Sequence, residues 1–333
     1  MVQTLLDRAR AGDAAAFAEL VGGHQAELRV HCYRMLGSAQ DAEDAVQETL
    51  LAAWRGLGGY EQRASLRTWL YTVATNCCLN MRRARSSRPV ARPAWEPPPP
   101  SRLGEVLWLE PYPDLLLDEV PDRTPDPEVC VESHEAISLA FVTAVQLLPA
   151  RQRAVLLLRD VLGFRAAEVA DMLDTTQEAV TSALKRARAA VRDRPHPGAT
   201  GGPRPASLAE QELVDALAGA LQAADVDTLI GLLTDDVIVS MPPLPFEYHG
   251  REPAGRFFRE VAFRPGMRYR FLPTGANRQP AFAVYLMDPA GGVWQANGLL
   301  VATLSRAGVS AITRFDPSVL SRFGLPRTLP TSS

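Results

Sequence analysis

The run PVARPAWEPPPP at residues 89–100, followed by the acidic, proline-punctuated PDRTPDPE at 121–128, decides how this chain can be divided. Proline fixes φ, lacks an N–H and pushes the preceding residue out of the helical region. No long helix or central strand can therefore cross residues 86–133, which read as a linker between residues 1–85 and residues 134–195. Inside it, EVLWLEPYPDLLLDEV (105–120) is too apolar for an inert tether and needs a surface to dock on. A second break, RPHPGATGGPRPAS, makes 196–206 a flexible joint before a last domain at 207–333.

The first block is all-helical. The spacing predicts a helix to about Arg10, an Ala-rich helix to Val21, and a third carrying Leu28, Cys32, Met35 and Leu36. Gly37 and Ser38 then break the pattern, with Ser38 the expected N-cap of the next helix. At about 100° per residue, Asp41, Asp44 and Glu48 share one stripe of that helix, and Val46, Leu50, Ala53 and Trp54 lie opposite. A polar loop with Tyr60 and Ser65 follows. The next helix, from about Leu66, carries Trp69, Val73 and Asn76 and ends in Arg82, Arg83 and Arg85. Aromatics beside a basic helix end suit single-stranded nucleic acid, and the arginines suit phosphates.

DAEDAVQETLLAAWR followed by SLRTWLYTVATN resembles region 2 of bacterial sigma-70-type initiation factors, in the extracytoplasmic-function (ECF) group that keeps only regions 2 and 4. The resemblance implies that the acidic helix, with Asp41, Asp44, Gln47 and Glu48, docks on core RNA polymerase. It also implies that the segment with Tyr60, Ser65, Trp69 and Asn76, joined by Arg82 and Arg83, captures unpaired bases of the promoter −10 element.

PARQRAVLLLRDVLGFRAAEVADMLDTTQEAVTSALKRARAAVR at 149–192 predicts three helices, the last two at helix-turn-helix spacing. Arg165 to Leu173 is the supporting helix, Asp174 and Thr175 the turn and cap, and Thr176 onward the recognition helix. On the latter, Val180, Leu184, Ala187 and Val191 form a packing stripe. Thr181, Lys185, Arg188 and Arg192, with Arg186 beside them, form a face able to reach guanine edges or phosphates. Leu148-Pro149 with Arg151-Gln152-Arg153, and Glu168-Val169-Ala170, resemble region 4 of the same family, which implies duplex −35 recognition.

The last domain changes rhythm. A helix at 209–224, a short helix at 228–233, a strand DVIVSM, a helix near 253–261 and four extended segments predict an α+β domain. Ala224–Val237 with Gly250-Arg251-Glu252 resembles the cone-shaped SnoaL-like fold, which some ECF sigma factors carry as a regulatory domain. Candidate pocket residues are Tyr248, His249, Tyr285, Trp294, Asn297 and Asp316. None forms an acid/base pair by spacing, so no catalytic residue is assigned and the chain is not read as an enzyme.

A net charge of −3 excludes a uniformly basic nucleic-acid binder, so local charge must carry DNA contacts. Lys185 is the only lysine. Cys32, Cys77, Cys78 and Cys130 form no CxxC pair and have no histidines at ligand spacing, so they read as reduced thiols with no metal and no cofactor. No signal sequence or membrane span is legible, which points to the cytoplasm.

The expected protein is multidomain: two all-α sigma domains, a region 2 helical bundle and a region 4 helix-turn-helix, followed by an α+β SnoaL-like domain that modulates activity. Its expected partners are core RNA polymerase and promoter DNA. An anti-sigma factor and a small ligand in the C-terminal domain are further candidates. The alternative is a helix-turn-helix regulator with a small-molecule-sensing C-terminal domain.

Overall fold

The computed structural model describes residues 2–85, 97–120, 135–193, 207–288 and 292–330. The chain forms two compact units. One takes in Met1–Arg88, Leu116–Ile137 and Phe141–Arg194; the other takes in Pro89–Leu115, Ser138–Ala140 and Pro195–Ser333.

The first unit is helical, as its patterning requires. Helices α1 (Val2–Arg10), α2 (Ala14–Gly22), α3 (Gln25–Leu36), α4 (Ala39–Gly56) and α5 (Leu66–Arg85) form its first half. Local chemistry sets their ends. The Asp13 carboxylate accepts from Ala15 N and Ala16 N and starts α2, and Ser38 Oγ accepts from Asp41 N (3.2 Å) as the expected cap of α4. Between α3 and α4, Gly37 adopts φ +77. The left-handed turn favours glycine, and a Cβ there, 2.9 Å from Gln146 Cδ, would also push the Gln146 side chain aside.

A short helix of the linker, α6 (Asp114–Leu117), precedes α7 (Leu139–Gln146), α8 (Ala150–Leu156), α9 (Ala166–Met172) and α10 (Gln177–Arg192). A π-helical turn at Leu157–Val161 extends α8. Helices α9 and α10 are the expected helix-turn-helix. Asp174 takes φ +48 in the turn, and the cap falls on Thr176, not on the expected Asp174-Thr175 pair, because it is Thr176 Oγ1 that accepts from Ala179 N and starts the recognition helix at Gln177.

Regions that lie far apart in sequence pack directly in this unit. Arg153 of α8, 1% exposed, donates to the carbonyls of Val145 (2.7 Å), Gln146 and Leu148 at the end of α7 and of Met35 at the end of α3. The last carbonyls of a helix have no intrahelical partner and carry its negative dipole end. One planar guanidinium thus satisfies two helix ends at once. In the same unit, Phe164 packs edge-on to Tyr71 of α5 and beneath the Arg67 guanidinium.

The second unit is α+β. Helices α11 (Leu208–Ala223), α12 (Val226–Leu232) and α13 (Arg251–Phe257) accompany a mixed sheet. Its strands are β1 (Arg102–Leu103), β2 (Leu233–Met241), β3 (Leu244–His249), β4 (Tyr269–Ala276), β5 (Gln279–Met287), β6 (Val293–Ser305), β7 (Gly308–Phe315) and β8 (Thr328–Pro330). They run in the order β1-β3-β2-β7-β6-β5-β4, with β8 on β6; the β2–β7 pair is parallel. Leu217, Leu221 and Leu229 of the helices pack with Val237, Val239, Ile312 and Phe282 of the sheet to form its core.

Part of the linker belongs to this second unit. Arg102 and Leu103 pair antiparallel with Glu247 and Phe246, adding a strand to an otherwise open edge. Tyr248 Oη donates to Pro98 O, and His249 N to Ser101 Oγ. Further on, Tyr112 is 1% exposed and exchanges two 2.8 Å hydrogen bonds with Asn277, while Arg278 N donates to Asp114 Oδ1. The apolar stretch expected to dock therefore does so at Leu109 and Tyr112, both buried. Strands β1, β3 and β8 were not legible in the sequence. Cys130 and the joint at 196–206 lie outside the described residues.

Candidate polymerase- and DNA-binding surfaces

The α4 helix shows the expected two faces with one correction. Asp44, Gln47 and Glu48 are exposed, whereas Asp41 is only 3% exposed. Asp41 lies in the first turn, where its N–H is held by the Ser38 cap, so it sits against the bundle and does not extend the carboxylate stripe. Leu51, on the same helix, is 48% exposed.

In the loop after α4, Tyr60 is buried and stacks on Trp69 of α5 with ring centroids 4.9 Å apart. Its hydroxyl donates to Ala64 O (2.8 Å), and its carbonyl accepts from Arg10. Tyr60 therefore presents no free face, and Trp69 is half-buried over it. Ser65 Oγ accepts from Thr68 N and starts α5, and Asn76 is exposed two turns along the helix from Trp69. Arg82 and Arg83 continue the helix; their side chains lie outside the described residues.

On α10 the two stripes separate. Val180, Leu184 and Ala187 are buried, while Thr181, Lys185, Arg186, Arg188 and Arg192 are exposed. Arg188 is not a simple free cation: its guanidinium makes a two-pronged contact with the buried Asp160 carboxylate, at 2.8 and 2.7 Å. Asp160 thus orients Arg188 from below and neutralises part of its charge. That partner stands 28 residues away in sequence and carries no local signal.

Both helical regions match known protein families. The sigma-70 region 2 model matches residues 20–88, and the sigma-70 region 4 model matches residues 138–191. The ECF RNA polymerase sigma factor SigG of Mycobacterium tuberculosis is 40% identical over 328 residues, 96% of this chain and 86% of its own length. The chain belongs to the ECF sigma factors. SigJ of the same organism is 33% identical over 216 residues, covering 63% of this chain and 61% of SigJ. A crystal structure of SigJ superposes with TM-score 0.62 at 22% identity, covering 93% of this chain and 99% of that one, so the fold is shared beyond the two sigma regions. As an ECF sigma factor the protein directs transcription initiation, binds RNA polymerase and promoter DNA, and is not an enzyme. Among the described residues, no helix is long and apolar enough to cross a membrane.

In the sigma factor's C-terminal domain, the six expected pocket residues do not converge. Tyr285 Oη donates to Pro326 O; Asp316 caps a 3₁₀ turn through Ser318 N; His249 pairs with Glu247 at 2.7 Å. Tyr248 is tied to Pro98, and burial pushes its hydroxyl up to about 12. Trp294 is buried, with the Arg270 and Arg268 guanidinium groups 4.9 and 5.8 Å from its ring. Of the six, Asn297 alone lines the cavity bounded by Phe257, Phe258 and Phe271, where it meets Arg314, a residue with no distinguishing sequence context.

Proposed function

We propose that this sigma factor docks on core polymerase through Asp44, Gln47 and Glu48, with Asp41 shaping that helix from within. Trp69, Asn76 and the Ser65 loop, with Arg82 and Arg83, take the −10 strand, and Tyr60 supports Trp69. Thr181, Lys185, Arg186 and Arg192, with Arg188 steered by Asp160, take the −35 duplex. The observation that carries this reading is the clean division of α10 into a buried apolar stripe and an exposed cationic one. The protein acts in the cytoplasm.

The packing of α8 on α3 adds a step. Positions −35 and −10 are about 25 base pairs apart, roughly 85 Å of duplex at ~3.4 Å per pair. A protein holding both must part the Arg153–Met35 contact, so the compact first unit is the form before promoter engagement. The C-terminal domain modulates that opening through its grip on residues 97–115, which lie in the segment joining regions 2 and 4.

Run-off transcription with purified core polymerase tests the whole. Lys185→Ala with Arg186→Ala is expected to cut −35-dependent initiation at least tenfold with core affinity unchanged; loss of core affinity in that variant contradicts the division of labour. Deleting the C-terminal domain should alter promoter output, and an unchanged profile removes its modulating role.

A further inference from the structure

The face of the sheet that carries Ile312 and Arg314 is roofed by α11, α13 and the π-turn after α13, which leave a partly open cavity of about 130 Å³. That is close to the size of an engineered apolar cavity that admits benzene. Phe257, Phe258 and Phe271 supply aromatic walls. Ile312 and Arg314 alternate onto this face of β7, and Leu300 of β6 stands opposite Arg314.

The polar lining is one-sided. It comprises Arg264 at the exposed rim, Tyr269, Asn297 and Arg314, with no aspartate or glutamate. Arg314 donates to Asn297 O (2.5 Å) and Asn297 Oδ1 (3.1 Å), both neutral acceptors and both reached by the same guanidinium nitrogen. A guanidinium has five N–H donors, so most of its fork is uncommitted by these contacts. Gly298 makes the placement possible: a Cβ there would lie 2.5 Å from Phe315 O and 3.3 Å from an Arg314 nitrogen. Burial pulls the Arg314 guanidinium below its usual range, the mark of a cation held away from water, against a partial offset from Asp316.

A partly buried arginine whose hydrogen bonds go to neutral oxygens, in a cavity lined by no carboxylate and with Asp316 acting only as a nearby charge, is incompletely compensated. We propose that this cavity binds a small organic carboxylate, with its aromatic or short aliphatic body among the phenylalanines and its carboxylate on the Arg314 fork. The planar fork matches a carboxylate with two parallel hydrogen bonds, whereas a neutral carbonyl engages only one. Regulatory use of the site rests on the modulating role proposed above; binding itself does not.

Isothermal titration of the full chain with benzoate, phenylacetate and hexanoate, each against its primary amide, is the direct test. At least one acid should bind, with a preference of tenfold or more over its amide. Arg314→Met should bring that preference to within twofold, and Arg314→Lys should leave an intermediate preference, which keeps the test decisive if the methionine variant folds poorly. Ala262→Phe, which fills the cavity from its roof, should abolish binding of both. No binding of any acid by the wild-type chain, equal binding of acid and amide, or an undiminished preference in both Arg314 variants overturns the proposal. Run-off transcription with and without the bound acid separates the two readings. Binding without a change in output leaves the site standing and counts against the modulating role; a C-terminal deletion that alters output while no acid binds does the reverse.

Discussion

Arg153 of α8 donates a hydrogen bond to the carbonyl of Met35, the penultimate residue of α3, from a side chain almost wholly removed from water. The same guanidinium closes the end of α7 through Val145 and Gln146. Replacing it with methionine preserves volume and leaves several buried carbonyls without their donor. Arg153→Met should therefore cost the helical unit about 3 kcal/mol in urea unfolding. Arg153→Lys should recover only part of that, because an ammonium on a flexible stem cannot serve two helix ends in one plane. Equal stability of the lysine variant and wild type would contradict the shared-cap role.

His31 makes stability depend on pH. It is fully buried, with Nε2 2.9 Å from Thr75 Oγ1 and its ring edge-on to Tyr71. Burial, aided by Arg34 and Arg67, pulls its pKa from 6.5 down to about 3. The folded chain keeps it neutral while the unfolded chain protonates it below 6.5. Its contribution is therefore complete above pH 6.5 and lost as pH falls from there towards 3, at up to ~1.4 kcal/mol per pH unit. Unfolding free energies of His31→Gln between pH 7 and 4.5 should show a shallower acid slope than wild type. Parallel curves would rule the effect out.

Tyr60 and Trp69 stack, yet their variants should fail differently. Tyr60 is the buried member, so Tyr60→Ala should lower stability by about 3 kcal/mol. Trp69 is the member with an exposed surface, so Trp69→Phe should keep the fold and reduce −10 strand capture severalfold, read by fluorescence of a single-stranded −10 oligonucleotide bound to the holoenzyme. A wild-type response from Trp69→Phe alongside weakened capture by a folded Tyr60 variant would reverse the roles.

The Asn277–Tyr112 clasp predicts a protease signature. Asn277 and Arg278 form the two-residue loop between β4 and β5 with φ +58 and +57, the conformation that suits a type I′ hairpin. Asn277→Gly keeps that conformation available while deleting the side-chain acceptor for Tyr112 N. Cleavage by trypsin after Arg102 should accelerate at least fivefold in this variant while the C-terminal domain's own unfolding transition persists. An unchanged cleavage rate would mean that the strand pairing of Arg102 and Leu103 alone holds the linker.

Much of this could be read locally. Helix periods, the Ser38 cap and the turn spacing after Leu173 are short-range signals that placed their elements, although the recognition-helix cap falls on Thr176, one residue beyond the Asp174-Thr175 pair expected to supply it. The region 2 and region 4 resemblance rested on such stretches. Burial was less legible where a polar residue lies at a helix start or beside a stacking partner. Asp41 shares a stripe with Asp44 but sits in the capped first turn, and Tyr60 looks like a loop aromatic until Trp69 is placed over it.

By itself, then, the sequence determined two helical sigma regions, an α+β domain and the proline-rich breaks between them, because proline, glycine and hydrophobic period act within a few residues. Only the tertiary structure decided that Arg153 joins α7, α8 and α3, that Asp160 steers Arg188, that the linker becomes a strand beside β3, and that Arg314 faces an aromatic cavity. Each of those depends on a backbone carbonyl, a strand edge or a buried charge whose partner is remote in the chain. Such partners leave no pattern in the residues that flank them.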